Sequence, residues 1–494
     1  MTDEKQKRPS WVASLIPFAV LVLMLVFVIR SFGASAMDGG SQVSLLFAAG
    51  VAVATAMLGY GIKWKTLESS IADNFKSIGP AIIILILIGA ISGSWMVSGV
   101  VPTLIYYGMK VITPKIFLFA ACVICALVSV ITGSSWTTIA TLGLALLGIG
   151  KAQGYETGWI AGAIISGAYF GDKISPLSDT TVLAASSAGT PLFTHIRYMM
   201  ITTVPSFVIA SVIFLIASLN HQVADSSGAE EISLALRDSF TISPWLLLIP
   251  VLTAVMIARR LPALLTLFVS ALMVGLCALV VQPDIIYNVA TGSDLPLGSR
   301  LPLRQGFEGL MISYYDSTSL QTGNAMLDDL VSTRGMNGML GTIFLIISAA
   351  AFGGVMTGSG MIQSITDVLT KRIKSRTGTV ASTVLTGLGA NMVTGDQYLS
   401  IILTCSLYKK LFRDNGFEER LLSRTTEDSV TVTSVLIPWN SCGMTQATVL
   451  KVPTLDYLPY CFFNILSPLM SIFIAATGYK IIRHTAQNSS DRTQ

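Results

Sequence analysis

The stretches Ile174-Ser175-Pro176-Leu177-Ser178-Asp179-Thr180 and Leu436-Ile437-Pro438-Trp439-Asn440-Ser441-Cys442 decide how this chain folds. Each sets a proline in the middle of an apolar, helix-length segment and follows it with small polar side chains. The two prolines stand 262 residues apart. Proline lacks a backbone N–H and breaks the hydrogen-bond ladder of a helix. In a bilayer an unpaired backbone group is costly, so a broken helix survives only where protein or a water-filled cavity satisfies it. Paired breaks at matching positions in two halves mark the binding site of a secondary transporter.

Composition sets the environment. Of 494 residues, 52% are hydrophobic and 12% charged, and the mean hydropathy is +0.69. So little charge cannot cover a soluble protein of this length, which makes the chain an all-α polytopic membrane protein. Its formal charge of +4 comes mainly from loops and carries no nucleic-acid signature. The basic N-terminus (Lys5, Lys7, Arg8) precedes an apolar run without a small-residue cleavage site, which favours a retained first span over a signal peptide. Six cysteines fall in apolar segments; Cys122 and Cys125 have redox spacing but no second pair nearby, so all six read as buried thiols.

Uninterrupted apolar runs lie near 12–30, 42–62, 79–98, 197–219, 243–258, 262–282, 338–358 and 457–478. Each approaches the ~17–25 residues a span needs. Four further runs are interrupted: 115–150, 156–190, 377–412 and 420–450. The repeat extends beyond the prolines. Gly93…Ser98-Gly99 recurs as Gly354…Ser359-Gly360, offset by 261, and Thr132-Gly133 recurs as Thr394-Gly395, offset by 262. A common spacing over several landmarks exceeds what the abundance of small residues in packed membrane helices explains.

Lysine and arginine orient the spans. With a cytoplasmic N-terminus, Lys63, Lys65 and Lys76 return to the inside, as do Arg259 and Arg260. The stretch 283–337 becomes a long external loop. The cluster Lys371, Arg372, Lys374 and Arg376 lies inside, with Lys409, Lys410, Arg413, Lys480 and Arg483. The two repeats are therefore inverted. The expected organisation is N-terminal scaffold spans (1–76), then a first repeat (77–219) with re-entrant hairpin 115–150 and broken helix 156–190. Linker loops and two scaffold spans (220–337) follow. A second repeat (338–478) has hairpin 377–412 and broken helix 420–450, and 479–494 is a polar cytoplasmic tail. That makes about ten crossing helices plus two hairpins. The stretch 220–242 reads as a polar external loop.

Ionisable residues at membrane depth are functional candidates. The tips and breaks gather Ser134, Ser135, Thr137, Asp172, Ser178, Asp179 and Thr180 from the first half. From the second they gather Asn391, Thr394, Asp396, Asn440, Ser441 and Thr445. These supply mainly hard oxygen ligands, which suit Na+. His195 and His484 flank spans and His221 lies in a loop, so proton coupling falls to carboxylates. A carboxyl in a low-dielectric cavity resists ionisation and a bound cation reverses this, so one group can trade a proton for Na+. The candidates for coupling are Asp172, Asp179, Asp396 and Asp428, with Na+ held at Ser178, Asp179, Asn440 and Ser441. The acids are not duplicated, since the 262 offset matches them with Ser434, Ser441, Ser134 and Ser166.

Plainer roles compete. Asp172 can pair with Lys173, Asp179 and Asp396 can cap helices, and Glu427 with Asp428 can join Arg420 and Arg424 in a surface salt-bridge cluster. Pro176 and Pro438 serve as the breakers. No intramembrane histidine, metalloprotease motif or Gly-x-Ser-x-Gly motif supports an enzyme, and the broken helices argue for a closed midplane site over a channel.

The run Gly171-Asp172-Lys173-Ile174-Ser175-Pro176-Leu177-Ser178-Asp179-Thr180-Thr181 resembles the signature of the NhaC-type Na+/H+ antiporters. So does Arg424-Thr425-Thr426-Glu427-Asp428 running on to Ile437-Pro438-Trp439-Asn440-Ser441. The resemblance covers nearly the whole chain and implies a bacterial inner-membrane antiporter of the ion transporter superfamily, with both termini cytoplasmic. It implies a scaffold domain, a mobile transport domain and a homodimer, with Na+ and H+ as substrates and no cofactor. Dicarboxylate members of that superfamily hold Na+ with Ser-Asn-Thr elements at hairpin tips. The nearest matches here are Ser178-Asp179-Thr180 and Asn440-Ser441-Cys442. The family also includes Na+/H+-coupled exchangers of malate and lactate. For a carboxylate substrate, Lys173 and the amides after Asp179 are the expected anchors.

Overall fold

The computed structural model describes residues 8–32, 39–221, 227–259, 261–296, 299–320, 322, 328, 331–370, 373 and 375–481. The orienting charges at Lys5, Lys7, Arg260, Lys371, Arg372, Lys374 and Arg483 lie outside the described residues, as do Asp225, His484 and the tail beyond 481.

The secondary structure is helical, with one isolated bridge between Thr318 and Thr333 among the described residues. The N-terminal part comprises α1 (Trp11–Phe32), α2 (Gly40–Ala54), α3 (Trp64–Val97) and α4 (Val100–Val111). Next come α5 (Phe117–Thr132), the short α6 (Ser135–Thr138), α7 (Leu144–Ala152), α8 (Thr157–Ile174), α9 (Asp179–Ala188) and α10 (Leu192–Asn220). The middle holds α11 (Ser227–Ser239), α12 (Leu248–Ala258), α13 (Ala263–Val281), α14 (Pro283–Thr291) and α15 (Leu303–Tyr315). The last part runs through α16 (Leu340–Gly358), α17 (Met361–Thr370), α18 (Arg376–Thr394) and α19 (Gln397–Asp414). It ends with α20 (Glu419–Thr426), α21 (Ser441–Leu450), α22 (Thr454–Tyr457) and α23 (Phe462–Thr477).

Among the described residues, seven helices are long and apolar enough to cross a membrane, or up to nine if each of two bent pairs counts as one span. The sequence suggests about ten. Two of the expected spans, 243–258 and 457–478, fall in the bent pairs, and the broken helices 156–190 and 420–450 are missing because their halves are short. One of the seven, Pro114–Thr132, is the stretch expected to be an arm of a re-entrant hairpin. The connections also differ from expectation. The segment 220–242 contains α11, which buries Ile232 and Leu236. These stand four apart on one face of an amphipathic turn too short to read as a span. Likewise 283–337 contains α14 and α15, which pack on each other.

Polarity is inverted relative to a water-soluble protein. Leu58 is 88% exposed and Val280 81%, whereas Lys173, Arg424, Glu427 and Asp428 are each 0% exposed. An apolar solvent favours that distribution. Small residues let the helices approach. A Cβ on Gly354 or on Gly358 of α16 would come within 2.7 Å of α3, at Ile71 and Ser70 respectively. Asn74 of α3 donates to the Ala350 carbonyl of α16 at 3.0 Å. Glycines 167 and 171 of α8 likewise lie against the carbonyls of Cys122 and Ala126 on α5.

Local geometry recurs along the chain at a spacing of 261 or 262 residues. Gly133 and Gly395 are both left-handed, with φ of 68° and 64°. So are Gly99 and Gly360 (81° and 73°), and Gly189 and Lys451 (87° and 53°). Helices α9 and α21 start and stop 262 residues apart, residue for residue.

Candidate functional site

In the first half, α5 ends at Thr132 and the chain turns through Gly133. Ser134 is extended and caps α6, its side chain accepting the Thr137 amide at 3.2 Å. Helix α8 runs to Ile174 and α9 starts at Asp179, capped by Ser178, which accepts the Thr181 amide at 3.4 Å. The tip rests on the break. A Cβ on Gly133 would stand 2.7 Å from the Leu177 carbonyl carbon, and the Ser175 hydroxyl donates to the Val130 carbonyl at 2.8 Å. Close packing of α8 on α5 then sets Asp172 against α6.

Asp172 is 6% exposed. One oxygen accepts the Ser135 hydroxyl at 2.6 Å and the other the Ser178 hydroxyl at 2.6 Å. Ser178 also lies 3.0 Å from the Thr180 hydroxyl. A hydroxyl that donates to a carboxylate keeps its lone pairs, so Ser135 and Ser178 present oxygen toward any cation that Asp172 attracts.

The second half repeats the arrangement with different chemistry. Asp396 is extended after Gly395 and caps α19, accepting the Leu399 amide at 2.8 Å. Asn440 caps α21, accepting the Cys442 amide at 3.1 Å. The Ser441 amide donates to the Gly395 carbonyl at 2.7 Å, and Trp439 Nε1 donates to the Met392 carbonyl at 2.7 Å. The Ser441 hydroxyl reaches the second oxygen of Asp396 at 3.4 Å. Asn391 and Asn440 are tied to backbone carbonyls, Asn391 to Val430 at 2.7 Å and Asn440 to Asn391 at 3.1 Å. Thr394 holds Ser400 at 2.7 Å, Thr445 donates to the Ser441 carbonyl at 2.6 Å, and Thr137 to the Ser134 hydroxyl at 3.1 Å. These hydroxyls secure the tips and helix starts.

The two halves meet at Tyr398 and Cys442. Tyr398 interacts electrostatically with Asp179, Asp172 and Asp396. The Cys442 thiol donates to Gln397 at 2.9 Å. Asp179 is exposed in the first turn of α9. Among the described residues, no hydrogen bond links Ser178 or Asp179 to Asn440 or Ser441. No three His, Cys, Asp or Glu side chains there stand close enough to hold one metal ion. Tyr398 is thus the side chain on which Asp172 and Asp179 of the first half and Asp396 of the second all act.

Lys173 pairs with Asp428, not with Asp172. Its ammonium also donates to Ser467 at 2.7 Å, and Asp428 accepts the Thr202 hydroxyl at 3.0 Å. Arg424 stands 3.8 Å from the other Asp428 oxygen and lies 4.6 Å over the Tyr198 ring. Arg424, Glu427 and Asp428 are fully buried, which corrects the surface-cluster reading. His195 is also buried, one turn into α10, with Nδ1 2.8 Å from the Ser423 hydroxyl. Tyr398, Arg424 and His195 were not singled out as site residues from the sequence. Arg424 and Asp428 did carry a signal, opposite charges four apart, the spacing of an ion pair on one helix face.

Comparison with known proteins bears on this site. The model of the Na+/H+ antiporter family matches residues 167–479. The Na(+)/H(+) antiporter NhaC of Bacillus subtilis is 35% identical over 431 residues, covering 87% of this chain and 91% of that protein. The Na(+)/H(+) antiporter NhaC of Alkalihalophilus pseudofirmus is 38% identical over 417 residues, 84% of this chain and 86% of its own. A malate-2H(+)/Na(+)-lactate antiporter of Bacillus subtilis is 33% identical over 432 residues, 87% of each chain.

Proposed function

The chain belongs to the Na+/H+ antiporter family, and from that premise we propose that it exchanges cytoplasmic Na+ for external H+ at Asp172. The observation that carries this reading is the pair of hydroxyls on Asp172, at 2.6 Å each. Deprotonated, the carboxylate with Ser135 and Ser178 is an all-oxygen seat for Na+. Protonated, it turns donor and the seat closes. Na+ and H+ therefore exclude each other at one group, and exchange follows if only the loaded forms cross. Na+ and H+ are substrates, and no cofactor or covalent chemistry enters.

Alternating access is proposed to come from two inverted repeats. The 262-residue recurrence of left-handed turns, caps and helix starts supports the repeats, and the basic clusters in the sequence support their opposite orientation. Each hairpin tip bears on the break of its own half, so tip and break would move together past the scaffold, as in an elevator. Cytoplasmic termini, residence in a bacterial inner membrane and a homodimer belong to the same proposal.

Exchange of organic acids is the second reading, raised by the malate-2H(+)/Na(+)-lactate relative. It is disfavoured because Lys173, the cation a substrate carboxylate would want, is occupied by Asp428 and Ser467. Proteoliposomes with an internal pH dye and an outward Na+ gradient separate the two readings. Lumen acidification without added acid, lost in Asp172→Asn, is expected. A signal that appears only with malate or lactate, or one undiminished in Asp172→Asn, overturns the proposal.

A further inference from the structure

Helix α20 and the π turn that continues it bring Arg424, Glu427 and Asp428 into the interior, and one of the two acids is unaccounted for. Asp428 is engaged by Lys173 and Thr202. Glu427, also 0% exposed, has no hydrogen-bond partner on either carboxylate oxygen. The backbone there winds as a π turn over Glu427–Thr431. Such turns are rare and tend to sit at functional sites, since the inserted residue re-aims its neighbours. The Thr431 hydroxyl, buried and equally unpartnered, and the Thr180 hydroxyl at the start of α9 come near Glu427 without hydrogen-bonding geometry.

A buried carboxylate with no donor is among the most costly groups a fold can keep. The surrounding charges do not neutralise it. Lys173 of α8 is a positive charge that acts on it, but its ammonium is held by Asp428 and Ser467. Arg424, three residues back, makes its only ion pair among the described residues with Asp428. The other titratable groups that face Glu427 are Asp172 of α8 and Cys405 of α19. Asp179 stands at the start of α9, and His195 of α10 is held by Ser423. Helix α23 brings no titratable side chain, and α18 has only Arg376 at its far end.

We propose that Glu427, with the hydroxyls of Thr431 and Thr180, is a second monovalent-cation site, separate from the Asp172 seat, and that its cation is carried in each cycle. The cation is Na+ or a proton, since both neutralise a carboxylate. The inference rests on the antiport reading of Asp172. Lys173 follows Asp172 in the chain and faces Glu427, so a cation taken up at Glu427 changes the field at Asp172 directly. The ratio of H+ to Na+ is then a property of two carboxylates.

The test measures reversal conditions, Na+ gradient against pH gradient and voltage, in proteoliposomes. It is paired with equilibrium 22Na+ binding to purified protein. Glu427→Gln is expected to change the coupling ratio or the binding capacity. A drop from two Na+ to one per chain assigns the site to Na+. Unchanged capacity with a changed ratio assigns it to the proton. Wild-type ratio and wild-type capacity in Glu427→Gln overturn the proposal. If that variant does not fold, Thr431→Val, which removes only one proposed ligand hydroxyl, takes its place: wild-type Na+ affinity, ratio and capacity there overturn the proposal, as does one-for-one exchange with a single bound Na+ in the wild type. Loss of exchange in Asp172→Asn with no effect of Glu427→Gln removes only this inference, whereas intact exchange in Asp172→Asn removes the premise.

Discussion

The Ser135 hydroxyl donates to Asp172 at 2.6 Å, fastening the tip of the first hairpin to the broken helix through the proposed Na+ carboxylate. Ser135→Ala and Ser178→Ala each remove one charge-assisted bond and one candidate ligand oxygen. Hydrogen bonds to charged groups contribute about 1.5–3 kcal/mol, and roughly 1.4 kcal/mol is tenfold in binding. Each variant is expected to raise the apparent KM for Na+ about tenfold or more, with folding retained. Initial rates in vesicles across Na+ concentration check this. An unchanged KM in both variants contradicts the assignment of these oxygens.

Competition at one carboxylate has a pH signature. A single proton displacing Na+ raises the apparent KM for Na+ by about tenfold per pH unit on the acid side. The maximal rate at saturating Na+ changes far less. A pH series of Na+ titrations measures the slope, and an apparent KM independent of pH argues for separate sites.

Gly133 and Gly395 combine left-handed backbone with close contact, Gly133 to Leu177 and Gly395 to Ala349. Alanine at either position incurs about 1–2 kcal/mol for the conformation and about 1–3 kcal/mol for the clash. Gly416 is an internal control, since its φ is 73° but nothing lies within 4 Å. Gly133→Ala and Gly395→Ala are expected to melt earlier than Gly416→Ala and to transport less. Equal melting of all three would deny these close contacts, tip to break at Gly133 and tip to α16 at Gly395, their role.

The Lys173–Asp428 pair predicts non-additive stability. Removing one partner leaves a buried uncompensated charge, at about 3–5 kcal/mol. Lys173→Met and Asp428→Leu are each expected to be strongly destabilised, and the double variant to recover much of the loss. Thermal unfolding in detergent, read as a double-mutant cycle, gives the coupling. Additive losses would mean that the two charges do not compensate one another.

Features set by backbone chemistry were legible in the sequence. Pro176 and Pro438 show as breaks because a missing N–H acts locally, and Gly133 and Gly395 show as tips because left-handed backbone favours glycine. Pairing was not legible. Nothing in the run Asp172-Lys173 tells that the acid turns to Ser135, 37 residues upstream, and the base to Asp428, 255 residues downstream. Only the packing of α8 between its neighbours decides it. Tyr398 escaped for the same reason, since an aromatic in an apolar helix carries no mark of the three carboxylates it faces. Helices α11, α14 and α15 were hidden because short amphipathic turns in polar connections resemble loops.

The distance between Lys173 and Asp428 along the chain also matters during synthesis. The ribosome completes α8 with its lysine 255 residues before the aspartate exists, an interval of roughly 13–50 s at ordinary elongation rates. Lys173 stands in the last turn of α8, and a lone lysine in a membrane helix costs up to about 2.5–3.5 kcal/mol on insertion scales, the full value applying at the helix centre. Until Asp428 is made, the N-terminal half carries this charge without its ion-pair partner. The arrival of Asp428 then becomes the event that commits both halves to the bilayer. A chain truncated before that residue would remain a substrate for membrane proteases.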